Sequence, residues 1–251
     1  MTEPWSPERQ AAQNEHLQQV LECIRSKTEN DTSSLAIFDL DGTLFDNRAR
    51  TVYILREIAD QFETRLPTLV DALDGFEDLS LIQYGVGATL DRLGVADPAE
   101  RAFIQEQWAK RFFSDEYQRF DIPLPGAKSF VCKVHEAGAT VIYLTGRDVN
   151  MLVGLTESLR MYGFPVGIVG TMMLTKKLFD EEDEVFKRNV GAYLKRLGEV
   201  VAIFENEPAN SNLLKKAFPG AASFFVLTQH RPDAPALEGG IHKIRDFRVR
   251  R

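Results

Sequence analysis

The 251-residue chain has only two cysteines, Cys23 and Cys132, far apart and without partners at metal-ligand spacing. Neither a disulfide framework nor a cysteine metal site organises it. Histidine is also scarce, and His135, His230 and His242 show no ligand-like spacing, so they read as structural or surface residues. Positive charge is in deficit, with Lys+Arg 30 against Asp+Glu 37, net −7 and pI about 5.3. A nucleic-acid backbone is therefore excluded as the main partner, while a small anion remains open to a site with local cations or a metal. No run approaches the roughly 18 apolar residues of a membrane span. The opening Met1–Pro7 is acidic and lacks the apolar stretch of a secretory leader. The expectation is a soluble, cytoplasmic protein with no membrane partner. Internal repeats and low-complexity tracts are missing, and nothing in the sequence signals an oligomeric state.

What is present is concentrated in Leu35-Ala-Ile-Phe-Asp39-Leu-Asp41-Gly-Thr43-Leu-Phe. The apolar run reads as a short buried strand, and Gly42 lets the chain turn off its end. Asp39 and Asp41 are then delivered to the carboxyl edge of a sheet, where open α/β folds place their chemistry. Two carboxylates this close repel unless a cation sits between them, and hard oxygen ligands suit Mg2+. Asp-Gly alone is an ordinary turn pair. The whole D-x-D-G-T after an Ile/Phe strand is far more specific.

With 44% hydrophobic residues the chain can build one large domain or two small ones. Residues 7–26 carry Leu17, Val20, Leu21 and Ile24 on one helical stripe. Residues 47–120 lose strand character and show successive helical stripes: Val52, Leu55, Ile58, Ala59 and Phe62; Leu79, Ile82, Val86, Leu90 and Leu93; Ile104, Trp108 and Phe112. Such a block is too long for a simple crossover and reads as an inserted helical domain. Trp108 and Phe112-Phe113 are expected in its core. Gln83, Tyr84, Lys110 and Arg111 are its candidate substrate contacts, each more readily an ordinary surface or packing residue. Beyond it, helices are expected at 127–137, 149–161 and 184–197. Strands are expected at 139–144, 165–170, 199–204 and 222–227, with an edge strand within 241–247. Alternating strands and helices predict an α/β, doubly wound (Rossmann-like) parallel sheet. The second strand ends in Thr145-Gly146-Arg147, whose hydroxyl and backbone N–H groups can donate to a phosphate oxygen.

These residues resemble the motifs of the haloacid dehalogenase-like superfamily of phosphohydrolases, specifically at Asp39-Leu-Asp41-Gly-Thr43, well at Thr145-Gly146 and more loosely beyond. The resemblance implies a core of residues 1–46 and 121–251 and a cap of residues 47–120, with the first strand between the second and the fourth. It implies Asp39 as nucleophile and Asp41 as general acid/base, with Thr145 and Gly146 at the substrate phosphate; Arg147 beside them either contacts the substrate or braces the loop. It also implies a basic residue ahead of the fourth strand. Lys176, Lys177 and Lys187 compete; Lys187 is preferred because its helix leads into that strand, and Lys177 is the runner-up. A Mg2+ site is implied from Asp39, the carbonyl of Asp41 and the fourth motif. There the family places aspartates and this chain has Glu205-Asn206-Glu207. Asn206 as direct ligand with Glu205 beside it, and Glu205 as the ligand, both remain open. The implied activity is Mg2+-dependent hydrolysis of a small phosphorylated substrate through an aspartyl-phosphate. A phosphomutase and a non-catalytic phosphate- or partner-binding protein are the alternatives.

Overall fold

The computed structural model describes residues 5–178 and 180–249. The first four residues, part of the stretch read above for a leader, lie outside them. The chain divides into two compact units: Met1–Phe45, Pro123–Val149 and Tyr162–Arg251 form one, and Asp46–Ile122 with Asn150–Met161 form the other.

The first unit is the expected α/β sheet. Its strands are β1 (Ser34–Phe38), β4 (Thr140–Asp148), β5 (Thr171–Lys176), β6 (Glu199–Glu205), β7 (Ala222–Val226) and β8 (Ile241–Ile244), in the order β5-β4-β1-β6-β7-β8. Every pairing is parallel. β1 is central, between the second and fourth of these strands as expected. All five of its residues are buried, as a strand covered on both faces requires. The two-residue strands β2 (Phe45–Asp46) and β3 (Ile122–Pro123) mark where the chain leaves this unit and returns.

Alternation along β1 assigns its two faces. Leu35 and Ile37 join Ile142, Leu144, Val200 and Ile203 in a cluster with Phe186 and Leu194 of α8 (Asp183–Leu194) and Leu214 of α9 (Pro208–Ala217). Phe38 faces the other way, toward Phe130 of α6 (Ala127–Glu136) and Phe247. There Phe38, Phe204 and Phe224 occupy matching positions on β1, β6 and β7. Their rings stack at 4.7 Å with interplanar angles of 2° and 7°. Each such aromatic pair contributes about 0.5–1.5 kcal/mol beyond its buried area. Because the ladder lies one residue before Asp39 and Glu205, it fixes the register that sets those acids side by side. Helix α1 (Pro7–Glu29) starts on a Ser6 cap and buries Leu17, Val20, Leu21 and Ile24, running one turn past its expected end.

Two strand expectations need correction. Residues 165–170 are a loop, not the third strand: Gly167 and Gly170 adopt φ of 67° and 79°, and Val169 is 96% exposed. Two left-handed glycines three residues apart prevent a continuous strand. The strand is Thr171–Lys176, half-buried because it is the sheet edge. The second strand also runs past 144. It continues to Asp148, with Leu144 opposite Leu174 and Asp148 opposite Lys176, so residues 145–147 bulge against a single residue of β5. Bulges re-aim side chains beside functional sites. A 3-10 turn (Val149–Met151) then precedes the following helix.

The second unit is helical: α2 (Arg48–Gln61), α3 (Pro67–Leu73), α4 (Val86–Arg92), α5 (Pro98–Phe112) and α7 (Leu152–Met161). Its core gathers Ile54, Leu55, Ile58, Leu66, Leu69, Leu90 and Ile104, with Trp108 and Phe112 packed against it. The region expected as a separate domain, 47–120, falls within this unit. Helix α7, expected with the sheet, clusters here instead, because the Gly154 N–H donates to Asp115 Oδ1 at 2.7 Å and Ser158 Oγ donates to the Gln118 carbonyl at 3.2 Å. Arg50 and Asp121 form a fully buried ion pair at 3.0 Å, with the guanidinium 3.8 Å from the Phe112 ring centre. Removing one partner strands a buried charge. Asp121→Asn is expected to lower the urea unfolding free energy by about 3–5 kcal/mol, and Arg50→Met with Asp121→Leu to recover most of it.

Candidate active site

The carboxyl ends of β1, β4 and β6 bring five charged side chains together. Asp39 follows β1 directly, its N–H donating to the Phe204 carbonyl at 3.0 Å. Lys187, on the first turns of α8 and 1% exposed, donates from Nζ to Asp39 Oδ1 at 2.9 Å and to Glu205 Oε2 at 2.6 Å. Arg147, on the β4 bulge, grips Asp41 through Nε to Oδ2 at 2.8 Å and Nη2 to Oδ1 at 2.7 Å. Three carboxylates thus share two cations.

Burial and the nearby Glu205 charge push the Asp39 carboxyl well above the usual carboxylate range, against the opposing pull of Lys187. For Lys187 burial disfavours the ammonium, but the two flanking carboxylates outweigh it and hold its pKa above that of a free lysine. Lys187 is therefore a permanent cation between Asp39 and Glu205.

Glu205 has no exposed surface and both oxygens are engaged. Oε2 takes Lys187, and Oε1 accepts the backbone N–H groups of Asn206 and Glu207 at 3.1 and 3.0 Å. Asn206 is held as firmly: its Oδ1 accepts from Thr43 Oγ1 at 3.1 Å and its Nδ2 donates to the Gln229 carbonyl at 2.8 Å. Gly42 is needed in this turn. Its φ is 73°, and a Cβ there would lie 2.2 Å from Asn206 Nδ2. Thr228 Oγ1 closes the turn from the other side by donating to the Gly42 carbonyl at 2.5 Å.

Thr145 is buried, and its Oγ1 accepts the Arg147 N–H at 3.2 Å, which directs its own O–H elsewhere as a donor. Gly146 lies against the Asp183 carboxylate, whose Oδ2 is 2.4 Å from where a Cβ would stand, so a larger residue there would displace the Asp183 side chain. The structure separates the three competing lysines. Lys176 pairs with Asp183 at 3.0 Å and donates to the Glu181 carbonyl at 2.9 Å, Lys177 is exposed, and Lys187 alone of the three bonds to Asp39. Thr43, Thr228, Gln229 and Asp183 had no role in the sequence reading. Thr43 stood in the motif itself, whereas the other three act through side-chain or backbone contacts that spacing does not encode.

In the helical unit the polar candidates have local partners. Gln83 bonds the Ser80 carbonyl, Lys110 pairs with Glu106, and Arg111 with Glu57. Trp108 stacks on Phe112 at 4.3 Å.

Among the described residues no group of three or more His, Cys, Asp or Glu side chains stands at metal-binding spacing. The donor types nevertheless suit a hard cation: Asp39 offers carboxylate oxygens, Asp41 a main-chain carbonyl and Asn206 an amide oxygen.

Among solved structures, the chain aligns over 81% of its length with 89% of a protein from Clostridium difficile that is provisionally named a phosphatase, at 15% identity and a TM-score of 0.53. The two share a fold. Looser matches include a class C acid phosphatase from Bacillus anthracis with tungstate bound (14% identity, TM-score 0.45, 82% of this chain and 67% of that one). CbbY from Rhodobacter sphaeroides in complex with phosphate is another (15% identity, TM-score 0.47, 86% and 95%). No protein-family model matches the sequence. No curated protein matches it either.

The Lys187 ammonium holds two buried carboxylates. Lys187→Met is expected to cost about 3–5 kcal/mol in urea unfolding, and Lys187→Met with Glu205→Gln to regain part of that. An unchanged unfolding midpoint in the single variant would contradict this account of the cluster.

Proposed function

We propose that the chain is a phosphohydrolase of the haloacid dehalogenase-like kind that cleaves a small phosphate monoester in the cytoplasm. The observation that carries this reading is the pair of acids just beyond the central strand, each bonded to a cation: Asp39 to Lys187 and Asp41 to Arg147. Asp39 is the nucleophile. One of its carboxylate oxygens attacks phosphorus in line, the bond from phosphorus to the ester oxygen breaks, and an aspartyl-phosphate forms. Asp41 gives its proton to the departing alcohol oxygen and then takes one from the water that attacks phosphorus, releasing phosphate and restoring Asp39. Thr145 donates its O–H to the transferred group. Lys187 offsets the charge that gathers between nucleophile and phosphoryl oxygens.

In this reading Asp39, the Asp41 carbonyl and Asn206 would hold Mg2+, which would supply positive charge at the phosphoryl oxygens. Asn206 is preferred to Glu205 because its oxygen accepts from the neutral Thr43 hydroxyl, whereas one Glu205 oxygen is bound by the Lys187 ammonium and the other by two backbone N–H groups. The helical unit, Asp46–Ile122 with Asn150–Met161, takes the part of the cap.

One observation favours the non-catalytic alternative. The fourth motif, Glu205-Asn206-Glu207, spends the Glu205 oxygens internally and ties the Asn206 amide to Thr43 and Gln229. Activity decides between the two. The proposal expects Mg2+-dependent release of phosphate from an aryl phosphate and from members of a phosphate-ester panel, and a fall of at least about 10³-fold in Asp39→Asn. No turnover by the wild type with any divalent metal would leave the binding reading. A requirement for a bisphosphate activator and formation of isomeric phosphates would identify a mutase.

A further inference from the structure

Arg147 entered as either a substrate contact or a brace for its loop. Its geometry assigns it a different duty. The guanidinium meets Asp41 side-on, with Nε and Nη2 each donating to a separate carboxylate oxygen at 2.8 and 2.7 Å. Two parallel charge-assisted bonds fix the plane of a carboxylate as well as its position, which one ammonium cannot do. The Arg147 side chain is 3% exposed and that of Asp41 35%. The acid is partly open to solvent while the arginine that grips it is covered. A residue that captures an arriving anion needs the opposite arrangement.

The backbone explains why the arginine is there. Leu144 and Asp148 keep their partners on β5, and the intervening residues bulge out of the ladder. Gly146, within the bulge, lies against the Asp183 carboxylate. The Arg147 N–H is anchored on Thr145 Oγ1 at 3.2 Å. The bulge thus presents the Thr145 hydroxyl and the Arg147 guanidinium from one short turn, the latter bonded to Asp41.

We propose that Arg147 is a positioning residue for Asp41: it orients the general acid/base carboxylate and is not a ligand of the substrate phosphate. This rests on the phosphohydrolase reading. Arginine stays protonated throughout and gives up no proton, so proton transfer to the leaving oxygen remains with Asp41. Arg147 acts only by holding the two Asp41 oxygens in the orientation from which that transfer occurs.

Leaving-group chemistry tests this. A p-nitrophenolate departs without needing a proton, whereas an alkoxide requires one. A positioning role for the acid therefore shows in kcat/KM for alkyl phosphates and barely in kcat/KM for p-nitrophenyl phosphate. In full-length Arg147→Gln, kcat/KM for an alkyl phosphate that the wild type hydrolyses is expected to fall about 10²–10⁴-fold, the span of general acid catalysis, and that for p-nitrophenyl phosphate less than about fivefold. Inhibition by inorganic phosphate should keep its constant within about threefold, since no phosphate contact is lost. Arg147→Lys, which keeps the charge without the fork, should lie between wild type and Arg147→Gln on the alkyl ester. Asp41→Asn should show the same selectivity for leaving group. Equal losses on both esters together with weakened phosphate inhibition would overturn the proposal and make Arg147 a phosphate ligand. Unchanged kinetics on both esters would overturn it as well. A wild type that hydrolyses neither ester would instead refute the phosphohydrolase reading beneath it. Circular dichroism of each variant separates these outcomes from loss of fold: a folded Arg147→Lys with wild-type kinetics on both esters also counts against the proposal.

Discussion

Carboxylates removed from water must be matched by positive charge, and this requirement organises the α/β unit. Asp39, Asp41 and Glu205 lie at the ends of adjacent buried strands, where repulsion between like charges is weakly screened. Lys187 and Arg147 are the two responses. The first comes from the start of α8 and bridges two strand ends. The second comes from a bulge in β4. Displacing either element removes a cation from the acids, so the packing of α8 and the bulge of β4 are constrained by electrostatics as much as by apolar contact.

Aromatic packing supplies the registration on which those distances depend. The Phe38, Phe204 and Phe224 stack lies one residue before the acids on β1 and β6. A slip of one residue would reverse every side chain on a strand and separate Asp39 from Glu205. The next turn is equally constrained. Gly42, Thr43, Asn206, Thr228 and Gln229 interlock through three hydrogen bonds, which leaves the Asn206 amide little freedom. Geometry at this site is set in advance by the fold, the condition under which fixed charges act most strongly on a reacting group.

Much of this was legible in the sequence. The apolar run before Asp39, the helical stripes of 47–120 and the alternation after 127 pointed to the parallel sheet and the helical block, while the central place of the first strand came from the family resemblance alone. A lysine ahead of the fourth strand could be ranked by position, and Lys187 is the one that touches Asp39. The misplaced third strand shows the limit of periodicity: Val166-Gly-Ile-Val169 looks like a buried strand, but glycines at φ of 67° and 79° turn it into a loop. Helix α7 was misassigned because its unit depends on contacts with Asp115 and Gln118, distant in sequence. The Arg147–Asp41 fork was invisible for the same reason, since spacing says nothing of a bulge that turns a side chain onto another strand's end.

The central claim is that Asp39 carries the phosphoryl group. The direct measurement is borohydride trapping: the wild type is mixed with Mg2+ and a substrate it turns over, quenched, reduced and mapped by peptide mass spectrometry. An acyl phosphate reduces to the alcohol, so the account predicts homoserine at position 39 in the wild type and none in Asp39→Asn. Steady turnover with an unmodified aspartate at position 39, or the reduced residue at another position, would contradict it.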